Sequence, residues 1–186
     1  MTRGAFRRLW RSVGADNRGG AAVEFALIVP VLVLLYAVGF EICQAATVKR
    51  KLTDTTVQLA SLTSQYTKVT KNDISTIMNA SAQVMSPNPT NVLSIVLSEV
   101  SIDNNGKATV TWSEPYHNGV AFSGTALSAP PTAPASFQTA NSTYIVVQTT
   151  YTYTPVIAGS FMAPMTLSNQ SFMLPRDTGS IPCSDC

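Results

Sequence analysis

Histidine is nearly missing from this chain, and charge is scarce. His117 stands alone with no Cys or Asp beside it, so a histidine-centred metal site or catalytic triad has nothing to draw on. Ser123 in FSGTA lacks the flanking glycines of a nucleophile elbow, and no glycine loop of the phosphate-cradling kind occurs. The stretches that read as strands hold no paired carboxylates. These absences argue against an enzyme and leave no cofactor or metal to expect. With 186 residues, 45% hydrophobic and only 12% charged, the chain suits one modest domain plus accessory segments.

The few charges are unevenly placed. Residues 1–19 carry Arg3, Arg7, Arg8, Arg11 and Arg18 against Asp16, a local balance of +4. Residues 52–186 carry Lys68, Lys71, Lys107 and Arg176 against Asp54, Asp73, Glu99, Asp103, Glu114, Asp177 and Asp185, a balance of −3, which excludes nucleic acid as the main partner. Cysteines are equally sparse: Cys43 lies in an apolar stretch, and Cys183 and Cys186 form a CSDC tail. One CxxC without a second pair or histidines falls short of a structural zinc site. The tail reads first as a small disulfide, then as free thiols, and last as a metal ligand pair.

What the chain does have is a long apolar run. FALIVPVLVLLYAVGF, residues 25–40, holds no charge, and weakly polar residues extend the run to Val48. A helix from Ala21 to Ala46, rising about 1.5 Å per residue, is long enough to cross a hydrocarbon layer of about 30 Å. A buried soluble helix is the weaker reading, because nothing else in the chain is large enough to surround it. A secretory signal ending near ICQAA is a second alternative, less favoured than uncleaved insertion because the run is too long and apolar for a typical signal. Five arginines precede the span and Lys49, Arg50 and Lys51 follow it, so the positive-inside bias favours a cytoplasmic N-terminus, with the KRK cluster pulling the other way. The expected division is a basic leader 1–19, a transmembrane helix 20–47 and an extracytoplasmic α+β head 48–186.

Beyond the span, Val48, Leu52, Thr55, Leu59, Leu62 and Tyr66 recur at steps of three and four, predicting a helix stripe that packs on the head. Thr70 and Asp73 have capping-box spacing ahead of a short amphipathic helix carrying Ile74, Ile77, Met78 and Met85, ended by Pro87 and Pro89. VLSIVLSEVSI, the DNNGK turn and KATVTW predict a hairpin with Ala108, Val110 and Trp112 on one face. Residues 114–141, rich in Pro, Ser, Ala and Thr, predict a long surface loop and a candidate contact surface. STYIVVQTTYTYTPV predicts a strand with Ile145, Val147, Tyr151 and Tyr153 on one face, and SNQSFMLPR a last strand. The head is expected to be one antiparallel sheet of three or four strands, covered by the end of the long helix.

One residue does not fit a plain anchor. Glu24 stands at the mouth of the apolar run, and a carboxylate carried to a membrane helix centre costs about 2.5 to 3.5 kcal/mol, so by default it marks function. The plain alternative is a headgroup position where the helix dipole favours an anion; Glu41 is expected at the opposite interface near Lys49 and Arg50.

RGGAAVEFALIVP, followed by GFE about a dozen residues later, resembles the TadE-like minor pilins, or pseudopilins, of tight-adherence (Flp, type IVb) pilus systems over residues 18–45. The resemblance implies a type IV pilin-like fold and a leader removed by a prepilin peptidase. Gly19 would precede the cut, Gly20 would become the N-terminal residue, and Glu24 with Phe25 would fill mature positions five and six; a cut after Gly20 is the one-residue alternative. The new α-amine would pair with Glu24 of a neighbouring subunit, and Pro30 would permit a helix kink. The implied partners are the peptidase, major and other minor pilins, the assembly platform and inner-membrane lipid. The implied place is the inner membrane, single-pass, N-terminus cytoplasmic and head periplasmic, or the pilus at the cell surface. A membrane-tethered periplasmic binding module is the main rival, and a hydrolase released by signal peptidase near Ala46 the second.

Overall fold

The computed structural model describes residues 19–117, 120–121, 126–157, 159, 162–176 and 179–186. Arg3 to Arg18 of the expected leader, Ser123 and Asp177 lie outside these residues. The elements are a 44-residue helix α1 (Gly20–Thr63), a 12-residue helix α2 (Lys71–Ala82), and strands β1 (Leu93–Ile102), β2 (Ala108–His117), β3 (Val120–Ala121), β4 (Thr143–Tyr153) and β5 (Met165–Met173). The strands form one antiparallel sheet in the order β3-β2-β1-β4-β5, four long strands and a two-residue edge piece. This is the expected α+β arrangement of a long apolar helix, a short helix and a small antiparallel sheet.

The chain divides into two compact units, one ending at Ile42 and the other spanning Cys43–Cys186. In the first unit α1 is apolar all round, with Val23, Phe25, Leu27, Leu32, Leu35 and Tyr36 all more than half exposed. In the second unit the helix becomes one-sided. Val48, Leu52, Thr55, Thr56, Leu59, Ala60 and Thr63 are buried. Leu62 and Tyr66, expected on this stripe, are exposed. After Leu59 the buried line moves four residues to Thr63, a step that leaves Leu62 about 100° away, and α1 ends before Tyr66.

α2 begins as its residues dictate. The Asp73 amide donates to Thr70 Oγ1 at 3.2 Å and the Thr70 amide to Asp73 Oδ2 at 3.0 Å, a reciprocal capping box. Its face of Ile74, Ile77 and Met78 joins Leu52 and Leu59 of α1 and Ile95, Leu97, Ile145, Val147, Tyr151 and Tyr153 of the sheet in the main core. Thr56 and Thr149 share a buried hydroxyl contact of 2.6 Å inside it.

The β1–β2 turn follows the DNNGK expectation: Asp103 Oδ1 accepts the amides of Asn105 and Lys107 at 2.9 and 2.8 Å, and Gly106 takes φ +79°, a left-handed conformation that glycine adopts without strain. The face expectation for β2 fails in one respect. Glu99 pairs with Trp112 but Val100 with Val110, so Thr111 is an extra residue and the strand bulges. Trp112 therefore enters the main core, whereas Ala108 and Val110 face the other side of the sheet.

That other side has its own cover, which changes the reading of residues 114–141. Residues 114–117 extend β2, so His117 closes a strand instead of lying in a loop, and Val120–Ala121 form β3. Ala133 is buried, and Leu127 and Phe137 pack on Val100, Ile102, Tyr144 and Val146. Phe137, Tyr144 and Phe172 meet at ring-centroid distances of 5.6 to 6.1 Å, tilted or edge-on. The apolar second face of β1 and β4 must be shielded from water, and this connection shields it.

Leu59 is fully buried where α1, α2 and the sheet meet. Leu59→Ala should destabilise the head by about 2–5 kcal/mol, the usual cost of a cavity at a closed site, measured by denaturant unfolding of the detergent-solubilised chain; a change within error would show that α1 does not contribute to that core.

Candidate functional site

Gly19, Gly20, Glu24, Phe25 and Pro30 all fall at the start of α1. The helix begins at Gly20, the residue after the expected cut. Both glycines are exposed, and a Cβ built on either meets nothing within 4 Å. Phe25 is 68% exposed, and Glu24 beside it is exposed as well. No acidic residue lies in the first helical turn. Glu24 sits just beyond it, where the dipole has largely faded, so helix-end electrostatics offer this carboxylate little. Pro30 lies inside α1, which runs on through it. Its missing amide leaves the Ala26 carbonyl without its usual helical donor.

Glu41, near the far end of the apolar run, is 1% exposed. Lys49 and Lys51 are also in use: their ammonium groups donate to the backbone carbonyls of Ser168 and Ser86.

The second unit holds a polar constellation that the sequence did not announce. Ile181 is fully buried, and both of its backbone polar groups are satisfied by side chains. Its amide donates to Glu99 Oε1 at 2.5 Å, and its carbonyl accepts from Trp112 Nε1 at 2.8 Å. Around it the tail is tied to the segment before α2. Val69 donates to the Pro182 carbonyl at 3.1 Å, Ser184 to the Val69 carbonyl at 3.2 Å, and the Lys71 amide to Asp185 Oδ1 at 2.8 Å. Cys183 and Cys186 are joined in a disulfide with Cα atoms 5.6 Å apart. Asp185 lies near both sulfurs, but bonded sulfurs offer no thiolate to a cation. Only one hint of this cluster existed in the sequence, an acidic residue within the β-branched run VLSIVLSEVSI.

Glu99 is 1% exposed, and burial pushes its carboxyl above the ordinary 4.5; the Ile181 amide and then the Trp112 side chain pull it back in part. The tyrosines Tyr144 and Tyr151 are likewise raised by burial.

By length and composition, α1 is a helix able to cross a membrane, and among the described residues no other qualifies. The chain thus presents a single apolar helix that leads into an α+β head. A protein-family model described as TadE-like protein matches residues 19–60, so a TadE-like domain is present over that stretch. The match starts at Gly19 and reaches past the apolar run into the half of α1 that packs on the sheet. No curated protein and no solved structure matches the chain.

A carboxyl whose pKa is raised on folding favours the native state below its unfolded value and withdraws that support as pH rises through the folded value. Head stability should therefore fall as pH climbs from about 4.5, the ordinary carboxyl value. Glu99→Gln keeps an acceptor for the Ile181 amide and should flatten this slope, read from thermal unfolding across that range. An unchanged slope in the variant would assign the pH dependence elsewhere.

Proposed function

We propose that this protein is a prepilin-type minor pilin, made as an inner-membrane precursor and processed by a prepilin peptidase, with a structural role in assembling or initiating a tight-adherence (Flp, type IVb) pilus. The observation that carries this reading is a coincidence of boundaries. The TadE-like match begins at Gly19, the helix begins at Gly20, and one exposed carboxylate follows four residues later on an otherwise apolar surface.

Cleavage would give Glu24 a cationic partner. A cut after Gly19 creates an α-amino group, cationic below a pKa of about 8. In a low-dielectric filament core an unpaired carboxylate is strongly disfavoured, so helices settle in the register that brings a neighbour's amine to each Glu24. The pair sets register more than it adds stability. Gly19, Gly20, Glu24 and Phe25 are the processing and motif residues on this reading. Pro30 weakens the helix where it must pass from bilayer to filament. The bulk of the chain is periplasmic, and the partners are the peptidase, other pilins, the assembly platform and inner-membrane lipid.

N-terminal sequencing of the membrane-extracted mature protein should begin at Gly20, and Gly19→Ala should block processing. Because a Cβ there meets nothing within 4 Å, such a block reports on the peptidase and not on folding. An intact N-terminus would instead favour a tethered periplasmic binding module.

Glu24→Gln removes the charge with little change of shape. It should leave membrane insertion and processing intact while reducing piliation, counted by electron microscopy of sheared fractions. Wild-type piliation in this variant would refute the pairing.

A further inference from the structure

The tail that seats Ile181 is held on either side of that residue by different means. Before it, the Arg176 amide donates to the Ser64 carbonyl at 3.0 Å. After it, Cys183 forms an isolated parallel bridge with Val69, and the disulfide closes a ring of Cys183, Ser184, Asp185 and Cys186. Two groups inside that ring grip the segment ahead of α2: the Ser184 amide donates to the Val69 carbonyl, and Asp185 Oδ1 accepts the Lys71 amide. The bond therefore constrains the spacing of both contacts.

Without the bond the tail has little to hold it. Residues 179–186 belong to no helix or strand of the sheet, and each one ordered costs conformational entropy that a few contacts must offset. Closing so small a ring removes freedom from the undocked chain, an effect of about twentyfold in favour of the docked form. The two sulfurs also differ in access. Cys183 is half-buried and packs on the main core, whereas Cys186 is exposed. Exchange needs a thiolate to reach the sulfur it attacks, so Cys186 takes the attack and Cys183 leaves.

We infer that the Cys183–Cys186 bond is a thiol–disulfide exchange site that latches the tail, and that its reduction by a dithiol frees residues 179–186 from Glu99, Trp112 and the Val69–Lys71 segment. A thiolate of the reductant forms a mixed disulfide with Cys186, while the Cys183 sulfur leaves with the electron pair and takes a proton from water. The second thiol of the reductant then displaces Cys186. The reductant ends as a disulfide, and the protein has gained two electrons and two protons. Release stops at Arg176, which the Ser64 carbonyl holds. With the tail out, the Trp112 indole N–H, the Glu99 carboxyl and the Val69 backbone face water, so one bond sets whether this part of the core is closed.

The test uses the full-length chain in detergent, with Cys43→Ser to remove the free thiol and Trp10→Phe to leave Trp112 as the reporter. Dithiothreitol should move the Trp112 emission to the red. Amide exchange at Val69, Ile181 and Ser184 should quicken about twentyfold while Ile95, Leu97 and Val147 keep their rates. Reoxidation should restore both signals. Cys183→Ala combined with Cys186→Ala should show the reduced behaviour and ignore dithiothreitol; if that variant does not fold, the reversible change in the parent chain decides. Limiting glutathione, quenched in acid, should leave its adduct on Cys186 by peptide mass spectrometry. Unchanged emission and exchange in chain shown by mass to be reduced overturn the latch. Loss of protection at Ile95 and Val147 together with the tail overturns it too, because the bond would then staple the whole head. An adduct on Cys183 overturns the choice of attacked sulfur.

Discussion

Packing of the Val48–Thr63 stripe of α1 against one face of the sheet is the interaction on which the second unit depends. Ile95, Leu97, Ile145 and Val147 are fully buried on that face, and Leu52 and Leu59 of the helix are buried with them. A four-stranded sheet has too little area to bury its own apolar side, so the cover must come from helices. The same helix is apolar on every side in its first half. One continuous element therefore carries two hydrophobic patterns, a uniform one that suits lipid and a one-sided one that suits a protein core. Cutting the chain at the end of the apolar run would sacrifice neither pattern, but cutting after Val48 or Leu52 would remove core residues from the head.

The opposite end of the chain closes the same core. Ile181 enters it without a strand partner, which would leave an amide and a carbonyl buried and unsatisfied, a costly outcome. Glu99 and Trp112 take the places of backbone partners. The bulge at Thr111 makes this possible, because without it Trp112 would share a face with Val110 and point away from the tail. A buried carboxyl is an unfavourable way to hold a segment if stability alone is the aim. It does specify one register, since only Ile181 brings an amide and a carbonyl to that donor and acceptor together.

What could be read from the residues follows the distinction between local and non-local signals. The capping box at Thr70 and Asp73, the Asp103 turn, the apolar run and the alternation of Ile145, Val147, Tyr151 and Tyr153 are encoded within a few positions, and each was legible. The TadE-like stretch was legible for the same reason, since the match over residues 19–60 takes in a short motif beside an apolar run. The bulge was not, because its cause lies in pairing with β1 and nothing in ATVTWSEPYH breaks the alternation. The cover formed by Leu127, Ala133 and Phe137 was hidden as well, since irregular segments bury residues without a period. Reading that stretch as free surface mistook absence of regular structure for absence of a packing role. The tail cluster joins positions 99, 112 and 181, and no local pattern connects them.

The positive residues after the span present a problem that the fold resolves in part. Lys49, Arg50 and Lys51 follow the apolar run, which on the proposed topology is the side that the positive-inside rule would keep poor in cations. The rule acts on the unfolded chain during insertion, so folding does not erase those charges from the balance. Folding does give two of them a separate reason to exist. Lys49 and Lys51 donate to the carbonyls of Ser168 and Ser86, tying the helix to β5 and to the turn after α2. Ser168 lies on an edge strand, where outward carbonyls invite pairing with other chains, and a lysine there blocks that pairing. Demand from the head thus accounts for two of these cations, and on the proposed topology the five arginines among residues 1–19 would offset them at insertion.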